Sequence, residues 1–181
     1  HEIASYQFEI KGPAPMEPKV SPEGGNLSIE EKGNLITVKG QGFVATFDSE
    51  DNTLFSYERN GKEYILKSGV ENFDRSRTGL HLESKWWGES NGLWPSFMPG
   101  KLKRVPLAAD YGVTQREGNA RVMFTNRIDG DKGSIYSQVT YTVYRDGDIG
   151  VSAAIDIDSN YVHLPRVGLS FTAPEGFKAL H

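Results

Sequence analysis

Residues 53–67 read TLFSYERNGKEYILK, and this stretch decides the fold class. Two runs rich in aromatic and β-branched residues flank Asn60-Gly61. That dipeptide accepts positive φ at both central positions of a type I′ turn, whose twist matches that of paired strands. The stretch therefore reads as a β-hairpin pairing 53–59 with 62–67. Upstream, LITVKG (35–40) and GFVATFD (42–48) continue the pattern. Phe43, Ala45 and Phe47 recur with period two and share one face of a strand.

Further strands follow at short spacing: YGVTQREG (111–118), ARVMFTNRI (120–128), SIYSQVTYTVYR (134–145) and DIGVSAAIDID (148–158). Turn residues separate them at Glu117-Gly118-Asn119, at DGDKG (129–133) and at Asp146-Gly147. Val139, Tyr141 and Val143 share a face in the third of these strands. Ile149, Val151, Ala153, Ile155 and Ile157 share one in the fourth. RVGLSFTA (166–173) adds a strand after Pro165. Short strands with one apolar and one polar face point to antiparallel sheets. Two such sheets packed face to face make an all-β sandwich.

Two segments fall outside that pattern. Residues 3–10 alternate in part and read as one strand, followed at 11–26 by KGPAPMEPKVSPEGGN. Four Pro and three Gly there exclude a helix, and Pro cannot donate to a sheet ladder. The lone strand at 1–11 reads as the last strand of a preceding β-domain and 12–26 as a linker. Residues 27–181 then form the main domain. The second segment, 71–104, carries all three tryptophans, several Gly, Pro95 and Pro99, with no sustained period of either kind. It reads as a long excursion, and long excursions in compact domains tend to carry function or dock on a partner.

Composition narrows the chemistry. Twenty Lys and Arg face 24 Asp and Glu, for a net charge of −4, and the signs are interspersed. That argues against a nucleic-acid partner, which would need a basic face. No apolar run reaches membrane-spanning length. The absence of Cys excludes a disulfide framework without fixing a compartment, so cytoplasm and periplasm both stay open. The chain starts on HEIASYQFEI without Met, so a missing targeting signal says little. No G-x-S-x-G, Walker or dinucleotide fingerprint is present. The four histidines (His1, His81, His163, His181) are too scattered for a transition-metal site. DGDKG resembles the start of a calcium loop but lacks the later bidentate Glu, so a hairpin turn is the better reading. No metal and no cofactor are expected. Asp48, Asp129, Asp131, Asp146 and Asp148 sit in turns, where Asp caps its own backbone. A paired-carboxylate hydrolase site is not evident among them.

The strongest binding signal is KWWGESNGLW (85–94). Sugars stack their apolar C–H faces on indole rings. Trp86, Trp87 and Trp94 are accordingly candidate carbohydrate-binding residues. The plainer alternative is that they anchor the excursion to the sandwich or to a neighbouring domain.

HLPRVGLSF (163–171) followed by TAPEGF resembles the fifth, small-chain domain of glycoside hydrolase family 2 β-galactosidases, where a Pro-Arg-(Ile/Val)-Gly strand leads toward an aromatic-Gly-x-Gly-Pro motif. GNLITVKGQGFVATFDSEDNTLFSYERNGKEYIL resembles the opening of that domain. HEIASYQFEI resembles the end of the immunoglobulin-like domain before it. Asn72, Phe73 and Arg75 fit the family's Asn-Phe-Trp-Arg run, whereas Asp74 stands where the family has Trp, and the Asp-Asn-Asp that follows is missing.

The resemblance implies a galactose-mutarotase-like supersandwich, here its N-terminal part. The family's two catalytic Glu belong to a separate TIM barrel, placed before residue 1, and a Trp lent to the active site lies past residue 181. No catalytic residue of the family therefore maps onto this chain. The implied role is structural support of the barrel and of the subunit assembly, with galactoside contact and a homo-oligomer among the implied partnerships. The rival classes are a stand-alone carbohydrate-binding module and a structural module with no ligand.

Overall fold

The computed structural model describes residues 25–74, 101–113, 118–161 and 164–176. These form two antiparallel sheets and no helix among the described residues. The first sheet holds β1 (Ser28–Lys32), β2 (Leu35–Gly40), β3 (Phe43–Asp48), β4 (Thr53–Arg59), β5 (Lys62–Asn72) and β10 (Gly168–Thr172), in the order β1-β2-β3-β4-β5-β10. The second is a meander of β6 (Lys103–Val113), β7 (Ala120–Gly130), β8 (Gly133–Val143) and β9 (Ile149–Ile157).

The central hairpin forms as the sequence reading expects. Arg59 pairs with Lys62, and Asn60 and Gly61 both adopt positive φ, 52° and 74°. The Asn60 N–H also donates to the Gly42 carbonyl at 2.8 Å, tying this turn to the one between β2 and β3. The DGDKG segment is a hairpin turn: the β7–β8 ladder runs to the pair Gly130–Gly133, leaving Asp131 and Lys132 at the tip.

Period-two patterning sets the core. Ile36, Val38, Phe43, Ala45, Phe47 and Leu54 from the first sheet meet Ala120, Val122, Phe124, Val139, Tyr141 and Val143 from the second, all buried. Phe47, Phe124 and Tyr141 form a tilted aromatic triad with centroids 5.2–6.2 Å apart. Such geometry contributes beyond area burial, because ring edges meet ring faces. A second cluster of Phe73, Ile128, Ile135 and Tyr161 closes one end of the sandwich.

Two expectations need adjustment. The excursion is shorter than 71–104: β5 carries on to Asn72, and β6 starts at Lys103. Pro106 lies inside β6, at a register shift on a strand with one neighbour among the described strands, which is where a sheet tolerates a missing donor. The apolar row of β9 lies on the same face as the buried row of β8, but Val151 is 41% exposed. The strand at 3–10, most of the linker and nearly all of the excursion lie outside the described residues. No helix among the described residues is long and apolar enough to cross a membrane.

Candidate functional site

The inward rows of β7 and β8 are apolar except at one level. Asn126 and Ser137 both point into the sandwich, are cross-strand partners, and are buried. Unpartnered polar groups there would each be costly. The partner comes from β5. Residues 67–69 of β5 stand opposite the single Phe171 of β10. Lys67 and Gly69 take positive φ in this bulge. Past it, the chain turns Glu71 inward.

The Glu71 side chain is 1% exposed. Its Oε1 accepts from Asn126 Nδ2 at 2.8 Å and from Ser137 Oγ. Its Oε2 accepts from Arg104 Nε at 2.6 Å. The remaining guanidinium nitrogens of Arg104 donate to the carbonyls of Asp51 and Asn52. Asn52 carries the network further: its Nδ2 lies within 3.1 Å of Ala108 O, Thr125 O and Asn126 Oδ1. With two N–H groups for three acceptors, one of these bonds is shared. A single buried charge pair thus ties the β3–β4 turn to β5, β6, β7 and β8.

Burial pushes the Glu71 carboxyl up, but the Ser137 hydroxyl and the charge and hydrogen bond of Arg104 outweigh it and hold the group below its ordinary value. The nearby Tyr141 hydroxyl is pushed up, first by burial and then by the Glu71 charge. That hydroxyl makes no hydrogen bond among the described residues. Its ring end packs on Gly69, leaving no room for a Cβ there.

A cleft of about 300 Å³ opens beside this network, lined among others by Val70, Glu71, Phe73, Leu102, Arg104 and Ile128. It sits at the foot of the excursion, between the strand that leaves for it and the strand that returns. The chemistry available is limited. Both Glu71 oxygens are engaged and the group is held ionised, which suits a fixed charge rather than a proton carrier. The network holds charge and registers strands.

The candidates read from sequence fare differently. Trp86, Trp87 and Trp94 lie outside the described residues. Asp48 and Asp146 cap turns: Asp48 Oδ1 accepts from the Glu50 N–H at 2.8 Å, and Asp146 Oδ1 from the Asp148 N–H at 3.0 Å. Asp129 pairs with Arg127 at 2.8 Å and accepts from the Ser134 hydroxyl. No group of three His, Cys, Asp or Glu among the described residues is placed to hold a metal. Sequence reading missed Glu71, Arg104, Asn126 and Ser137. Two polar residues at the same inward phase of adjacent strands were the available signal.

Comparison with known proteins places this sandwich. The family model described as β-galactosidase small chain matches residues 39–181. A β-galactosidase of Priestia megaterium (strain DSM 319 / IMG 1521) is 25% identical over 182 aligned positions, and one of Streptococcus thermophilus is 26% identical over 180. Each alignment covers 99% of this chain but 16% of the relative, so the chain spans about one sixth of the length of the curated relatives it matches. An all-β sandwich of two antiparallel sheets, matched over most of its length by this model, belongs to the β-galactosidase small-chain family.

Proposed function

We propose that this chain is the non-catalytic β-sandwich portion of a β-galactosidase, in which a separate TIM barrel hydrolyses terminal β-galactosides. In this reading residues 1–11 end a preceding immunoglobulin-like domain, 12–26 link, and 27–181 form the N-terminal part of a supersandwich that braces the barrel. The observation that carries it is the state of Glu71. Among the described ion pairs it holds the one buried carboxylate, and that carboxylate is fully committed to holding strands together. A glycosidase needs two carboxyl groups free to face one glycosidic bond. Such a network suits a scaffold whose loops lean on a neighbouring domain.

The test is an assay of the purified chain with a chromogenic galactoside. The expected result is no turnover above a buffer blank. Turnover that disappears when one of the chain's own carboxylates is changed would overturn the reading.

Contact with the sugar through Trp86, Trp87 and Trp94 is the finer part of the proposal. It rests on the stacking chemistry of indole rings with sugar C–H faces.

A further inference from the structure

Asn60 carries two properties that pull against each other. As the first central residue of the β4–β5 turn it adopts φ 52°, with Gly61 at 74°. As an asparagine followed by glycine, it also sets an electrophilic side-chain carbonyl next to the least hindered amide nitrogen a chain can offer. Of the described asparagines only Asn60 precedes a glycine. Nothing lies within 4 Å of where a Gly61 Cβ would stand. The ladder closes at Arg59 and Lys62, so the Gly61 N–H is not spent on a strand.

We propose that Asn60 is a site of spontaneous conversion to aspartate and isoaspartate, and that the turn it forms holds it latent. Base removes the Gly61 amide proton, and the nitrogen attacks Asn60 Cγ. A C–N bond forms, the Cγ–Nδ2 bond breaks, and the amide nitrogen takes up protons and leaves as ammonia. The product is a cyclic imide. Water then adds to one of its two carbonyls and reopens the ring. Opening at Cγ leaves aspartate. Opening at the main-chain carbonyl leaves isoaspartate, with the chain running through Cβ and Cγ. The sum is an amide and water giving an acid and ammonia, with no change of oxidation state.

Stereochemistry supplies the gate. The imide ring needs the Gly61 nitrogen eclipsed with the Asn60 Cβ about the Cα–C bond. In a type I′ turn, ψ at the first central residue is about 30°. In an L-residue that angle carries the nitrogen nearly opposite Cβ, out of reach of Cγ. Attack waits until ψ swings round, and the swing breaks the turn. The bond from the Asn60 N–H to the Gly42 carbonyl at 2.8 Å opposes it. Reaction then proceeds only through the small fraction of molecules whose turn is locally open.

Conversion is one-way. Isoaspartate lengthens the main chain inside a loop whose length selects the turn type. It also adds a carboxylate next to Arg59, whose guanidinium already serves the Asp146 carbonyl at 3.1 Å and the Asp148 carboxylate at 3.8 Å. Those contacts join the hairpin tip to the β8–β9 turn, so modification at Asn60 loosens both. The inference rests on the covalent geometry of one turn and does not depend on the role proposed above.

Incubation of the chain at mildly alkaline pH, followed by peptide mapping, reads the exchange of amide for acid at Asn60 and separates aspartate from isoaspartate. The chain unfolded in guanidinium should convert faster than the folded chain by about tenfold or more. Gly42→Ala sets a Cβ 2.9 Å from Asn60 Oδ1 at a φ of 77°, and should speed conversion in the folded chain. The hydrogen-exchange protection of the Asn60 amide should fall by a similar factor in that variant. Asn60→Gly keeps a residue suited to positive φ. It should hold its melting temperature through the incubation, while the unmodified chain loses stability in step with its isoaspartate content. A folded chain that converts as fast as the unfolded one overturns the gate. An unfolded chain that leaves Asn60 intact overturns the site. A Gly42→Ala variant whose Asn60 amide loses protection without faster conversion also overturns the proposal. If Gly42→Ala does not fold, the comparison of folded with unfolded native chain decides by itself.

Discussion

Glu71 is the residue on which most of the buried polar chemistry converges. Removing the cation while keeping the charge leaves a buried carboxylate unpaired, which costs about 3–5 kcal/mol. Arg104→Met should therefore unfold at markedly lower denaturant, with an unchanged slope. Glu71→Gln removes the charge instead and gives the pH dependence. The folded-state value of Glu71 is lowered, so its stabilisation is complete above its unfolded value of about 4.3. It is lost as pH falls through the lower folded value. The melting-temperature gap between native chain and Glu71→Gln should be widest near neutrality and shrink below about pH 4.3. A gap that is constant or grows toward acid would contradict this assignment. Gly69 tests the same region sterically. It sits at φ 81° with the Tyr141 hydroxyl where a Cβ would be. Gly69→Ala should cost about 1–2 kcal/mol in backbone strain, plus about 1–3 kcal/mol in overpacking, read by chemical denaturation.

At the scale of elements, the β4–β5 hairpin and the bulge in β5 do different jobs. The hairpin fixes register through its turn, and nothing packs near a Cβ at Gly61, so a substitution there reports backbone geometry alone. Gly61→Val should lower stability by about 1–2 kcal/mol, and for a domain of this size the melting temperature should drop by several degrees. An unchanged melting temperature would mean a turn of another type. The bulge explains why Glu71 escaped a reading based on alternation. Ser68 and Gly69 are consecutive buried residues, which breaks the period-two signal just before the inward carboxylate. The strand then reads as the start of an irregular segment. Arg104 was hidden in the same way, because Pro106 two residues later argues against a strand unless the strand is known to be an edge.

At the scale of the whole molecule, the two described sheets share one apolar core, while Val151 of β9 and Phe171 of β10 stay exposed among the described residues. The Trp-rich segment 85–94 lies in the chain between β5 and β6, outside the described residues. If its indoles contact sugar, tryptophan fluorescence of the chain should shift on titration with galactose, and Trp86→Ala with Trp87→Ala should abolish the shift. Fluorescence that ignores galactose, joined to a loss of stability in both variants, would assign these residues to packing instead.

The sequence alone determined what is local. Period-two rows named the inward residues of β3 and β8, and Asn60-Gly61 named its turn, because side-chain alternation and positive φ depend on the backbone within a few residues. The order of motifs along nearly the whole chain was enough to suggest the family. Only the tertiary structure decided which polar residues meet. Glu71 and Asn126 are 55 positions apart in the chain, and Glu71 and Ser137 are 66 apart. Their convergence depends on how two sheets stack, and a buried charge is stable only where that stacking supplies every partner at once.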